Sequence, residues 1–227
     1  MELVPIAHIR SDFSQKFGIP RQSGLVEELT ALVIFEPDFR NPSALRGIEG
    51  FSHLWLIWEF SKARGWSPTV RPPRLGGNRR LGVFATRSPF RPNPIGLSCV
   101  RLLEVRQDRA LGPVLTVAGA DLMDGTPIYD IKPYLPYADC KPEAAGGFAA
   151  VPKGADLAVD CPPGLLSRVP EDKRSALLAV LAQDPRPQYQ DDPERVYGMA
   201  FAGLEVKFRV AGDRLTVIQI LPPPAGS

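Results

Sequence analysis

The segment FSHLWLIWEF, residues 51–60, shows the pattern that decides the fold class of this chain. Leu54, Leu56 and Trp58 recur at every second position, which is the period of a β-strand with one buried face. Six more runs of this kind, bounded by Gly, Pro, Asn or Asp, precede residue 140: 3–10, 25–35, 81–86, 95–105, 114–122 and 127–132. Seven short strands at close spacing predict a β-barrel or β-sandwich, so we expect a mainly β chain.

The chain changes character after the last of these runs. Over residues 138–163, Pro, Gly, Ala and Lys predominate without periodicity, which indicates a linker or an irregular segment. Beyond it, residues 175–181 are preceded by acids and predict a helix. Alternation over 196–210 and, after a turn, over 214–221 predicts a hairpin.

Length and composition limit the architecture and the setting. At 227 residues the chain is long enough for two domains, which we place at 1–142, a β-barrel domain, and at 160–227, a small α+β domain. The three cysteines lack Cys-x-x-Cys spacing, so we expect neither a disulfide framework nor a zinc site. The first residues carry no apolar signal core, and the longest apolar run, at 54–58, is too short to span a bilayer. These features predict a cytoplasmic protein.

Residues 71–98, RPPRLGGNRRLGVFATRSPFRPNPIGLS, are the most informative part of the chain for function. They contain six arginines and lie inside a window without Asp or Glu that runs from residue 60 to residue 103. Interspersed Pro and Gly argue against one amphipathic helix and hold the guanidinium groups in rigid turns. Since the net charge of the chain is only +2, this basic surface is local. It suits a polyanion or a nucleotide-like ligand, or else is a solvated basic face. We predict RNA contacts from five of these residues: Arg71, Arg74, Arg79, Arg80 and Arg91.

Two polar side chains are candidates for the chemistry. Asn93 lies between two prolines, and its carboxamide is able to pair with the edge of an adenine, although a plain Asx-turn explains it equally well. Asp130 shares a strand face with Lys132, which fits a site or a salt-bridged surface strand. The sequence has no P-loop and no Gly-x-Gly-x-x-Gly that opens a helix. We interpret His8 and His53 as structural and expect no metal site.

Four segments in order resemble the TsaA-like family. They are Ile19-Pro20-Arg21-Gln22, EGFSHLW at 49–55, the basic segment 71–98, and DGTPIYDIKPYLPY at 124–137. The second-domain segment LAQDPRP, at 181–187, resembles the bacterial two-domain members as well. Characterised bacterial members are S-adenosylmethionine-dependent tRNA adenine-N6-methyltransferases.

The resemblance implies a fold, a reaction and an assembly. The fold is a TsaA-like β-barrel in the N-terminal domain, unlike the Rossmann type. The reaction is methylation of N6-threonylcarbamoyladenosine next to the anticodon of threonine tRNA, with S-adenosylmethionine as the methyl donor. The assembly is a homodimer with the cofactor bound near the interface.

The resemblance also implies which residues contact the cofactor. Ser61-Lys62 replaces a His-Gln pair that is frequent in relatives, a change that backbone contacts would survive. The implied cofactor contacts are Pro20, Arg21, Gln22, Ser61, Lys62, Arg87, Leu97, Asp121, Leu122, Met123 and Asp124.

The reaction itself requires few protein groups. Methyl transfer from a sulfonium is an in-line displacement, so positioning of the acceptor nitrogen supplies much of the acceleration. The acceptor N6 must lose a proton, which the Asn93 oxygen or the Asp130 carboxylate is expected to orient or accept. Asp121 or Asp124 would favour the positive sulfonium.

Two alternatives remain open at this stage: a non-catalytic module that binds tRNA or nucleotides, and a methyltransferase that acts on another base or on a small metabolite.

Overall fold

The computed structural model of the protein describes residues 2–75, 79–150, 156–187 and 192–223. In chain order its strands are β1 Ala7–Arg10, β2 Thr30–Phe35, β3 His53–Glu59, β4 Thr69–Val70, β5 Leu81–Gly82, β6 Ile95–Asp108, β7 Gly112–Ala118, β8 Pro127–Pro133, β9 Ala158–Asp160, β10 Tyr197–Phe201, β11 Leu204–Ala211 and β12 Arg214–Leu221. The α-helices are α1 Pro136–Asp139, α2 Pro163–Leu166 and α3 Arg174–Ala182. Strands dominate, which confirms the expectation of a mainly β chain.

Six strands of the described chain form a barrel, in the closed order β1-β2-β7-β6-β3-β8. Each pair of neighbours in this ring is antiparallel. The alternation in β3 has the expected effect, because Leu54 and Leu56 are fully buried in the barrel core while Trp55 is partly exposed. Burial of each such leucine contributes about 1.5–3 kcal/mol, so the register of β3 is firmly set.

One predicted strand is wrong. Residues 81–86 contain only the short strand β5, which pairs with β4, followed by a 3-10 turn at Val83–Ala85. Thr86 closes that turn, because its backbone N–H and its hydroxyl both donate to the carbonyl oxygen of Val83, at 3.1 and 2.9 Å. Val83 is buried, so its apolar character reflects a packed turn and not a strand.

The C-terminal residues form a second sheet, in the order β10-β11-β12-β9, with α3 in the same apolar core. Helix α3 confirms the helix predicted at 175–181. The predicted hairpin has an additional turn, because Ala202 and Gly203 adopt positive φ and separate β10 from β11. The segment expected to be irregular contains β9, which pairs in parallel with β12. Residues 151–155 of that segment lie outside the described residues.

A connecting segment, residues 11–29, belongs to both halves of the molecule. It follows β1 of the barrel, yet Phe13, Val26 and Leu29 are buried in the core of the C-terminal sheet. This packing explains why β2 begins at Thr30 and not at residue 25 as predicted: the first apolar residues of that run are used by the second core.

No α-helix in the part of the chain that the structure describes combines the length and the apolar character of a membrane span. The longest, α3, has nine residues, whereas a spanning helix needs about 20.

Candidate active site

A cavity of about 500 Å³ lies beside β3 and β6 and is bounded by loops at 16–22, 60–63 and 86–91. Its volume falls in the range of pockets that hold small organic ligands. It gathers all but two of the residues that the resemblance assigned to the cofactor: Pro20, Arg21, Gln22, Ser61, Lys62, Arg87, Leu97, Asp121 and Met123. Residues far apart in the sequence therefore meet in one place, which we call the site cavity.

A hydrogen-bonded chain of three side chains, which we call the cavity wall, leads from the barrel core to the site cavity. Trp58 donates from Nε1 to the hydroxyl of Ser98 at 2.9 Å, and that hydroxyl donates to Asp121 Oδ1 at 2.5 Å. Ser98 is fully buried, because it lies on the inner face of β6. Its hydroxyl is therefore fixed in direction, and so is the carboxylate that it holds.

Asp121 has an unusual electrostatic environment. Burial raises the pKa of this carboxyl group, while the hydrogen bond from Ser98 and the positive charge of Arg87 oppose that rise. A carboxylate that has lost much of its hydration interacts strongly with a cation brought next to it. The geometry thus prepares the site cavity for a positively charged group.

Two loops are connected across the site cavity by side-chain hydrogen bonds. Arg87 Nη1 donates to Gln22 Oε1, and Gln22 Nε2 donates to the carbonyl oxygen of Arg21. Arg21 Nη2 in turn donates to the carbonyl oxygen of Arg186 at 3.4 Å. The loop at 16–22 is thereby linked both to the loop at 86–91 and to the C-terminal half of the chain.

Aromatic side chains supply the apolar surface of the site cavity. Trp58, Phe60 and Phe90 line it, and the rings of Trp58 and Phe60 are tilted by 59° with their centroids 4.3 Å apart. Gly96 permits the position of Trp58, because a Cβ at residue 96 would lie 2.3 Å from the indole ring. Faces of this kind suit a planar heteroaromatic group.

Glu59 is a lining residue that sequence reasoning missed. Its Oε2 accepts a hydrogen bond from the hydroxyl of Tyr129, and this bond raises the pKa of Tyr129 to about 12. A signal was present in the sequence: Glu59 is the acid that ends the window without Asp or Glu on its N-terminal side. A carboxylate at the edge of a basic segment is available to balance a charge inside it.

Two of the implied cofactor residues do not line the site cavity. Leu122 is buried in the barrel core, on the opposite side of the backbone from Asp121 and Met123. Asp124 accepts a hydrogen bond from the backbone N–H of Ser11 at 3.0 Å and so holds the connecting segment. Neither side chain therefore belongs to the lining of the site cavity.

The two candidates for proton handling lie outside the lining of the site cavity. Asn93 is exposed at the edge of the site cavity, between the lining residues Arg91 and Ile95. Its backbone carbonyl oxygen accepts a hydrogen bond from the backbone N–H of Ile95 at 2.7 Å. Asp130 forms an ion pair with Lys132 at 2.9 Å, as the surface-strand alternative predicts. Asn93 is thus open to a large substrate, whereas Asp130 already has a partner.

The predicted RNA-contacting arginines divide into two groups. Arg71, Arg79 and Arg80 are exposed beside the paired strands β4 and β5, and we call them the basic hairpin. Arg91 lines the site cavity and holds its own loop, since Nη1 donates to the carbonyl oxygens of Thr86 and Ser88 at 3.0 and 3.3 Å. The side chain of Arg74 lies outside what the structure describes.

The remaining features can be placed briefly. Among the described residues, no group of three or more His, Cys, Asp or Glu side chains is arranged to hold a metal ion. His8 contacts Glu36 at 2.8 Å and His53 contacts Ser52 at 2.9 Å. A second cleft, of about 580 Å³, lies beside residues 42–49 and contains none of the predicted site residues.

Comparison with known proteins gives a consistent result over the whole chain. Residues 8–140 match the family model of the tRNA-methyltransferase O N-terminal domain, and residues 162–223 match that of the TrmO C-terminal domain. A tRNA (adenine(37)-N6)-methyltransferase of Escherichia coli K12 is 42% identical over 96% of both chains. A putative S-adenosylmethionine-dependent methyltransferase of Pseudomonas aeruginosa is 41% identical over 98% of this chain and 97% of that one. The crystal structure of TrmO from Pseudomonas aeruginosa superposes with a TM-score of 0.80 at 35% identity, covering 98% and 97% of the two chains.

Proposed function

The chain belongs to the tRNA-methyltransferase O family, and from this premise we propose that it is an S-adenosylmethionine-dependent tRNA methyltransferase that acts on N6 of adenine 37. The observation that carries the proposal is the site cavity, where loops distant in sequence bring a partly buried carboxylate, aromatic faces and arginine side chains together. We further propose that the base must already carry the threonylcarbamoyl group, and that threonine tRNA is the substrate.

The site cavity offers a suitable group for each part of S-adenosylmethionine. When bound, this cofactor supplies an electrophilic methyl group on a positively charged sulfur. The partly desolvated Asp121 and the nearby Glu59 favour that positive charge. Arg87 is placed to bind a carboxylate, and Phe60 and Phe90 offer faces for the adenine ring. The implied contacts at Pro20 to Gln22 and at Ser61 and Lys62 complete the set.

The acceptor base enters from the exposed edge of the site cavity. There Asn93 orients the modified adenine and its N6 proton, a role supported by its exposure between two lining residues. Asp130 is the second candidate for the proton, and it acts only if its ion pair with Lys132 opens. The fixed position of the methyl acceptor relative to the methyl donor supplies most of the rate acceleration.

The basic hairpin accounts for binding of the tRNA body. Exposed arginines neutralise phosphates and release counterions, which gives affinity that depends on salt and not on base sequence. Arg71, Arg79 and Arg80 fill this role, with Arg74 beside them in the sequence. Because its substrate is tRNA, we place the protein in the cytoplasm.

We also propose a homodimer with the cofactor near its interface. The outer face of β6 exposes Ile95, Leu97 and Leu103, and Leu97 is half exposed although it is among the implied cofactor contacts. An exposed apolar strip of this kind is commonly an association surface.

The division into domains at 1–142 and 160–227 is likewise a proposal, supported by the two separate sheets.

The proposed reaction is tested with purified protein, S-adenosylmethionine and two tRNA samples. One sample is threonine tRNA that carries threonylcarbamoyladenosine, and the other is the same transcript without modification. Mass spectrometry of the digested nucleosides should detect one added methyl group on the modified adenosine of the first sample only. Equal methylation of both samples would contradict the substrate, and methylation of neither would contradict the reaction.

A further inference from the structure

The connecting segment places its apolar side chains in the core of the C-terminal sheet, although the segment carries part of the site cavity. Phe13 is 1% exposed and meets the ring of Phe201 edge-on, with centroids 5.5 Å apart. Phe17 and Ile19 pack against the same core. The cavity-lining residues Pro20 to Gln22 follow directly. The path of that lining loop therefore depends on packing against the second sheet.

Polar contacts also join the connecting segment to the C-terminal half, at the 3-10 turn before α3 and at the turn after β10. Asp12 and Lys173 form an ion pair at 2.8 Å, with side chains only 12% and 22% exposed. The backbone N–H of Ala202 donates to the carbonyl oxygen of Asp12, also at 2.8 Å. Loss of one partner of an ion pair that is largely shielded from water leaves an uncompensated charge, so this contact holds the segment firmly.

Gly18 and Met199 fit closely together next to the lining loop. Gly18 has a φ of +95°, and a Cβ at this residue would lie 2.1 Å from the sulfur of Met199 on β10. The backbone two residues before Pro20 thus lies directly against a side chain of the C-terminal sheet. No side chain larger than hydrogen fits between them.

The opposite side of the site cavity is attached to the same segment. The carbonyl oxygen of Phe13 accepts from the N–H of Asp124 at 2.8 Å, and the hydroxyl of Ser11 donates to the carbonyl oxygen of Leu122 at 2.9 Å. Asp124 also accepts from the N–H of Ser11. Residues 121–124, which include Asp121 of the cavity wall, are therefore held by residues 11–13.

We propose that the C-terminal half of the chain, the second sheet together with the 3-10 turn before α3, is a positioning element for the cofactor, and that Lys173, Met199 and Phe201 are its positioning residues. They hold the connecting segment, and the segment holds both Pro20 to Gln22 and residues 121–124. Binding of S-adenosylmethionine and docking of the C-terminal half then favour each other, because each needs the same ordered segment. This inference rests on the proposed function, since it assigns the site cavity to the cofactor.

The test compares three variants by titration calorimetry with S-adenosylmethionine. Lys173→Ala should raise the dissociation constant about tenfold, a coupling of ordinary size between sites, and Lys173→Arg should restore most of the affinity. Arg168→Ala is the matched control: it removes a hydrogen bond of 2.9 Å to the carbonyl oxygen of Ile220, a contact inside the C-terminal half. It should lower thermal stability without changing cofactor affinity, which separates positioning from general destabilisation.

Hydrogen exchange on the wild-type protein gives a second readout that does not need a folded variant. Saturation with S-adenosylmethionine should slow exchange of the amide of Ala202 and of its neighbours in β10, which do not line the site cavity. Unchanged exchange there, or equal cofactor affinity of the wild type and Lys173→Ala, would overturn the inference alone. Failure of the wild type to bind S-adenosylmethionine would overturn the proposed function and this inference with it.

Discussion

The cavity wall and the basic hairpin differ in nearly every physical respect. The wall is a chain of hydrogen bonds that begins in the barrel core at Trp58 and Ser98 and ends at the partly buried Asp121. The basic hairpin is exposed, and Arg80 Nε donates to the hydroxyl of Thr69 on β4 at 3.0 Å. A partly buried carboxylate of fixed direction favours a cation placed next to it, whereas exposed arginines bind any regular row of phosphates. The difference predicts that the cavity wall binds the cofactor and that the basic hairpin binds tRNA.

The largest expected effect comes from the cavity wall. Asp121→Asn keeps the size of the side chain and an acceptor for Ser98, but it removes the negative charge. We expect the dissociation constant for S-adenosylmethionine to rise on the order of 1000-fold, because truncating a desolvated charge pair typically costs 2–5 kcal/mol. Binding of tRNA should stay unchanged. Calorimetry with the cofactor and filter binding with tRNA measure the two affinities on the same sample.

The control for this substitution is Asp38→Asn, which removes an exposed acid away from the site cavity. It should leave cofactor affinity unaltered.

The pH dependence supplies a further check, because a raised pKa means that Asp121 takes up its proton at a higher pH than an ordinary aspartate does. Cofactor affinity of the wild type should therefore fall as the pH drops through that value, and the fall should be absent in Asp121→Asn.

A smaller effect is expected where the two regions meet. Asn93→Ala removes the carboxamide at the exposed edge of the site cavity while Pro92 and Pro94 keep the backbone in place. We expect kcat to fall on the order of 100-fold, since misplacement of the acceptor is costly, with cofactor affinity unchanged. Single-turnover kinetics and the melting temperature are the measurements. A lower melting temperature with general loss of binding would instead identify Asn93 as a turn residue.

The basic hairpin should show the reverse selectivity of the wall. The double variant Arg79→Ala, Arg80→Ala should reduce the magnitude of the log-log salt slope of tRNA binding by roughly 0.7 to 0.9 for each lost phosphate contact. Cofactor affinity should be the same as in the wild type. Arg109→Ala, which removes an exposed arginine from the turn between β6 and β7, is the matched control and should preserve the slope. Loss of cofactor binding with normal tRNA binding would invert the proposed assignment.

The smallest expected effect concerns the hydrogen bond between Tyr129 and Glu59, a lining residue of the site cavity. Because the hydrogen bond to Glu59 raises the pKa of Tyr129 from 10 to about 12, the folded protein retains that proton where the unfolded chain has lost it. The resulting stabilisation is present below pH 10 and is lost as the pH rises through about 12. Glu59→Gln should move the absorbance titration of Tyr129 back toward 10. An unchanged titration would show that Glu59 does not hold this hydroxyl.

Regular structure was predictable from sequence wherever the signal was local. The alternation of Leu54, Leu56 and Trp58 was enough to predict β3, because alternate residues of a strand point to opposite faces of the sheet. Residues 81–86 were misread because a buried turn and a short strand have the same apolar composition. The start of β2 was misplaced for another reason: Val26 and Leu29 pack in a core made largely by residues between 169 and 220.

The site was predictable only in part, and only by resemblance. Sequence spacing does not reveal that Gln22, Arg87 and Asp121 meet, because three loops fold together to bring them there. Within residues 121–124 the resemblance does not distinguish lining from support, and the structure places Leu122 in the core. Glu59 and the buried Ser98 were missed, since their roles come from contacts with Tyr129 and Trp58 that no local pattern encodes.

The most direct test of the assignment of the two regions is a crystal structure with bound S-adenosylmethionine. We expect the cofactor in the site cavity, with its sulfur facing Asp121 and its carboxylate within reach of Arg87. The basic hairpin should make no contact with it. Cofactor density in the second cleft beside residues 42–49, or against Arg79 and Arg80, would contradict the assignment of the cofactor to the site cavity.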